Sequence, residues 1–77
     1  METNKVQRAC IKLVEIELSR CQDANKIILQ SIDRIGDIIY FARYLVYCGV
    51  LSGDEFDSIK SIANTAMVTI YRIGVEQ

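Results

Sequence analysis

Asp33, Asp37, Tyr40, Tyr44 and Tyr47 recur at steps of four, three, four and three residues, so on a helix they form one stripe. Two carboxylates four residues apart on a single face are the raw material of acid–base or metal-assisted chemistry. Inward-facing carboxylate metal sites, however, draw ligands from several helices and commonly include histidine, and this chain has none. A solvated pair is the plainer expectation for Asp33 and Asp37. The tyrosines point to recognition instead. Each joins a large apolar ring to a polar hydroxyl, a combination enriched at binding surfaces. The stripe therefore predicts a partner-binding face with tyrosine anchors and an acidic end. Tyrosines that merely cover a bundle edge, hydroxyls in water, give the same spacing.

Other reactive side chains lack companions. Glu15 and Glu17 are two residues apart, point in different directions on a helix and form no pair. Ser52 and Ser58 have no histidine to activate them, and nothing local specifies a Ser–Lys pairing with Lys60. Cys10, Cys21 and Cys48 include no C-x-x-C pair and fall at or beside apolar helical positions, so each is expected as a small buried hydrophobe. The segment Gly49-Val50-Leu51-Ser52-Gly53 lacks the lysine and the preceding strand of a phosphate loop. The expectation is a protein that is not an enzyme, with no cofactor and no metal.

These side chains need helices to position them, and the apolar pattern supplies them. From Ile11 to Val46 the series Ile11, Val14, Leu18, Cys21, Asn25, Ile28, Ile32, Ile35, Ile39, Ala42, Val46 alternates three- and four-residue steps throughout. Only Asn25 is polar. Such a coiled-coil-like seam marks helices packed along one face, and a lone Asn within it commonly fixes register. Thr3 or Asn4 can cap the first helix. Ser52-Gly53-Asp54-Glu55 is a capping box, with Leu51 and Phe56 spaced as its hydrophobic staple and Gly49 closing the helix before it. The last helix carries Phe56, Ile59, Ile62, Ala63, Ala66, Met67, Ile70 and Ile73 on one side, with Gly74 as its stop signal. The joint from Gly49 to Phe56 resembles the turn of many small helical hairpin modules, a likeness of about ten residues that implies geometry only.

The result is a single all-α domain over residues 1–77, a small bundle of two or three helices at about 4–22, 24–48 and 53–73. The first two are continuous or kinked on one reading and broken around Gln22-Asp23-Ala24-Asn25 on the other. The unbroken spacing favours the former, a helix on the order of 65 Å long that would force dimerisation.

About half of the 77 residues are hydrophobic, much for a chain that buries only about 60% of its unfolded surface. Association is the expected remedy. Ile11, Val14, Leu18, Asn25, Ile28, Ile32, Ile35 and Ile39 are the candidate oligomer seam of a homodimer. Nine basic and ten acidic residues are scattered along the chain, which disfavours general nucleic-acid binding. The polar first ten residues predict no secretory leader, and Ile38 to Leu51, interrupted by Arg43, is too short for a membrane span. A cytoplasmic location follows as the expectation. The functional expectation is a protein–protein interaction module, a small inhibitor or adaptor such as a phage or mobile-element anti-defence factor, that binds a larger protein through a helical face. The alternative is a small dimeric DNA-binding regulator using Lys5, Arg8, Lys12 and Arg20 of the first helix.

Overall fold

The computed structural model describes residues 4–23 and 28–75, the side chain of Asp23 excepted. Within them the chain forms three helices: α1 (Lys5–Asp23), α2 (Ile28–Tyr47) and α3 (Gly53–Val75). Local chemistry fixes most of their ends. Asn4 caps α1, its Oδ1 accepting from the backbone N–H of Val6 at 2.8 Å and of Gln7 at 3.4 Å. The same side chain donates from Nδ2 to the carbonyl of Val50 at 3.0 Å, tying the start of α1 to the turn between α2 and α3. That turn is a Schellman motif. Gly49 adopts a left-handed φ of 78°, its N–H donates to the Val46 carbonyl, and the Val50 N–H donates to that of Leu45. The capping box follows at once. Ser52 N–H donates to Glu55 Oε1 at 2.7 Å and Glu55 N–H donates to Ser52 Oγ at 3.1 Å, a pairing that contributes about 1 kcal/mol. Leu51 is buried, and half-buried Phe56 packs against the same cluster.

The three helices pack against one another, alternating in direction. Glu17 on α1 reaches Ser31 and Arg34 on α2, so the chain reverses between residues 23 and 28. The Arg43 guanidinium on α2 stands 5.9 Å from the Phe56 ring centroid on α3. The longest dimension is 41 Å, little more than the roughly 35 Å length of α3 itself. The continuous or kinked N-terminal helix is therefore corrected to two helices folded against each other. The seam's spacing passes through the reversal because spacing records which face is apolar, not which way the helix runs. Asn25, expected to fix register within that seam, lies outside the described residues.

A second correction concerns what the seam packs against. Val14 and Ile35 sit in the first of two core clusters with Cys21, Ala63, Ala66 and Ile70, and Leu18, Ile28, Ile32 and Ile39 pack around it. Ile11 packs on the second cluster, formed by Cys10, Ala42, Leu51 and Ile59. The described residues assigned to an oligomer seam thus line the chain's own core. α3 supplies the missing apolar surface, because it docks into the angle between α1 and α2 and covers both.

Two smaller expectations change as well. Gly74 does not stop α3, which runs on to Val75. A Cβ there would stand 3.2 Å from Ile28 Cδ1, so its absence permits a close approach of α3 to the start of α2. Cys10 and Cys21 are buried as expected, but Cys48 is exposed because it follows the last turn of α2, where the chain peels away from the core.

Candidate interaction face

On α2 the buried residues are Ser31, Ile35 and Ala42. At about 100° per residue, the arc through Asp33, Asp37, Tyr40, Tyr44 and Tyr47 is centred roughly 180° from them. Spacing alone puts the stripe roughly 120° from the seam; the difference arises because the buried row runs along the side of the seam away from the tyrosines. The stripe accordingly faces solvent along its full length. Tyr40 is 73% exposed, Tyr44 62% and Tyr47 83%. Asp33 and Asp37 are exposed too. Among the described residues no hydrogen bond or ion pair engages either carboxylate or any of the three phenols.

Two residues that the stripe omits belong to the same surface. Leu29, four residues before Asp33, is 78% exposed and extends the face by one turn. Phe41 is also exposed and widens the face toward the α1 side. The signal for Leu29 was available, since it continues the stripe's own step of four. Phe41 lies off the stripe by angle and gave none. Isolated apolar residues on a surface are ordinary, but several large ones along one helix make a contiguous patch of the kind that marks interaction sites.

The polar feature with most structure around it is elsewhere. Glu17 is buried, accepts at Oε2 from the Ser31 hydroxyl at 3.1 Å, and has Arg20 and Arg34 guanidinium nitrogens each 3.6 Å from Oε1. Arg20 is three residues on along α1, whereas Ser31 and Arg34 lie across the reversal and spacing gives no hint of them. Glu15 is exposed and stands apart, as its spacing requires. With one hydroxyl and two guanidinium groups turned to its carboxylate, Glu17 ties α1 to α2. Among the described residues no group of three or more His, Cys, Asp or Glu could hold a metal ion.

Of the basic residues of α1, Lys5, Arg8, Lys12 and Arg20 are all exposed. Arg20 is drawn toward Glu17, which leaves Lys5, Arg8 and Lys12 as a short outward row. A shallow apolar groove of about 250 Å³ separates α1 from α3, lined by Val14, Leu18, Ile62 and Ala66, with Thr65 and Thr69 at its edge. No described helix is long and apolar enough to cross a membrane. Ser52 is engaged in its cap, and Ser58 and Lys60 lie on α3, where no histidine exists to complete a nucleophilic site.

The cysteines give a direct test of this arrangement. Burial pushes the Cys10 thiol up from its ordinary pKa, adding to steric protection, while Cys48 stands in solvent. A maleimide is therefore expected to modify Cys48 alone in the native protein and all three cysteines after denaturation, as read by intact-mass spectrometry. Native labelling of Cys10 at the rate of Cys48 would mean that α1 does not stay docked.

No protein-family model matches the chain, and searches of curated proteins and of solved structures found no match.

Proposed function

We propose that this protein is a non-enzymatic protein–protein interaction module that docks through the outer face of α2, working as a small inhibitor or adaptor of a larger protein. One observation supports the reading above all. The three-helix core closes without Leu29, Tyr40, Tyr44 or Tyr47, yet these side chains occupy the most solvent-exposed arc of α2. A helix face that only meets water gains nothing from large apolar side chains, whereas an interface gains rigid anchors of large area from tyrosine. The aspartates at the N-terminal end of the face add direction, since they favour a partner surface rich in hydrogen-bond donors there.

A photo-crosslinking side chain placed at residue 44 tests this in cells that produce the protein. It is expected to link to protein, and replacement of Tyr40 and Tyr47 by alanine is expected to abolish the links while leaving helicity unchanged. The same probe at Asn64, on the outward side of α3, serves as control. Equal crosslinking from both positions, or indifference to the alanine substitutions, would remove the face from consideration.

A further inference from the structure

The exposed stripe has an internal symmetry that identifies an occupant. Counting outward from Tyr40, Asp37 lies three residues before and Tyr44 four after; Asp33 lies seven before and Tyr47 seven after. One half of the stripe carries acceptors and the other half donors. If a second α2 lies antiparallel across the first, with Tyr40 on the two-fold axis, Asp37 meets Tyr44 of the other copy and Asp33 meets its Tyr47. Each phenol O–H then donates to a carboxylate, the stronger charge-assisted kind of hydrogen bond, and every such contact occurs twice by symmetry. The face is complementary to itself, which is what an isologous interface requires.

Resting on the reading of this face as an interaction surface, we propose that in the free protein it is covered by a second copy of the chain, paired antiparallel through α2. The parallel alternative brings Asp33 against Asp33 and Asp37 against Asp37, four carboxylates in one place, while leaving the phenols only one another, with no carboxylate acceptor. The antiparallel pair holds the two Asp33 residues about 20 Å apart and the two Asp37 residues about 10 Å apart along the helix axis, at or beyond the screening length of about 10 Å in ordinary salt, and sets a phenol between them. Area agrees. Aromatic side chains bury about 150–250 Å² each, so the exposed parts of Tyr40, Tyr44, Tyr47, Phe41 and Leu29 give at most roughly 600 Å² per copy. That is the lower end for a specific interface, about 1,200 Å² in total. The dimer is accordingly reversible, and a larger protein that docks on the same face competes with the second copy.

The test uses the full chain with Cys48→Ser, which removes the exposed thiol near the face. Sedimentation equilibrium of this protein is expected to show a monomer–dimer equilibrium, weakened at least about 30-fold by Tyr44→Glu with unchanged circular dichroism. Cysteines introduced singly as Tyr40→Cys, Asp33→Cys and Tyr47→Cys report orientation through a short bismaleimide. Tyr40→Cys is expected to link to itself, and Asp33→Cys to link to Tyr47→Cys in a mixture but not to itself. Self-linking of Asp33→Cys would overturn the antiparallel pairing. A chain that stays monomeric at millimolar concentration would overturn the second copy as occupant, and leaves the face to the crosslinking experiment above. A dimer indifferent to Tyr44→Glu would overturn the pairing by placing self-association on another surface.

Discussion

Replacing Ile35 with alanine is expected to lower the unfolding free energy by about 3 to 4 kcal/mol, the middle of the range for emptying a core position. Ile35 is fully buried, and Cys21, Ala63 and Ala66 stand in the same cluster. Ala63 and Ala66 have no rotamers and Cys21 only one short torsion, so these three neighbours cannot fill the space of the deleted carbons and part of the cavity stays open. A chain of this size has a total stability of about 4 to 11 kcal/mol, and each kcal/mol moves the midpoint of a small domain by about 4 to 8 °C. A fall of roughly 12 to 30 °C in the thermal midpoint follows, measurable by circular dichroism. Tyr47→Ala, on the exposed side of the same helix, is expected to change monomer stability by less than about 0.5 kcal/mol. The comparison belongs in the Tyr44→Glu background, which keeps the chain monomeric. There the difference between Ile35→Ala and its parent is expected to hold over about a hundredfold range of concentration, because Ile35 acts within one chain. If the Ile35→Ala effect instead shrinks with dilution, the seam belongs to an interface after all.

The joint between α2 and α3 was legible in the sequence because every part of it is local. Gly49 supplies the one left-handed residue, Ser52 and Glu55 satisfy each other's amides, and Leu51 and Phe56 bracket the start of α3. The faces of the helices were legible for the same reason, since a period of 3.6 residues is a property of the helix alone. What spacing could not carry was the position of α3. On α1 the apolar series runs Ile11, Val14, Leu18, Cys21, but the buried row is Cys10, Val14, Glu17, Cys21. α1 touches two helices, and the line of deepest burial falls between the two contacts, on a side where one member is a glutamate. Hydrophobicity hides such a residue. The reversal between α1 and α2 was legible only as the second of two readings, a break around Gln22-Asp23-Ala24-Asn25, because no glycine or proline marks it and the seam's steps continue across it. The tyrosine stripe was legible as a stripe, whereas its exposure depended on which side of α2 the other helices occupied.

Glu17 offers the second large effect, and it bears on that reversal. In one uninterrupted helix, Glu17 and Ser31, fourteen residues apart, would be separated by about 21 Å. Within one chain, their hydrogen bond and the approach of Arg34 to Glu17 exist only when α1 folds back on α2. A swapped dimer of straightened helices would remake these same contacts between two chains, so the cluster reports that α1 packs on α2 and measures how strongly. Ser31→Ala is expected to cost about 1.5 kcal/mol, the low end for a hydrogen bond to a charged group, since Arg20 and Arg34 still face the carboxylate. Glu17→Leu alone leaves the Ser31 hydroxyl without its acceptor in a dry site. Combined, Glu17→Leu and Ser31→Ala replace a polar contact by an apolar one, and stability is expected to return to within about 0.5 kcal/mol of the parent or above it. The double-mutant cycle should therefore give a coupling of at least about 1 kcal/mol. A coupling near zero would leave the Glu17–Ser31 contact no part in holding α1 on α2.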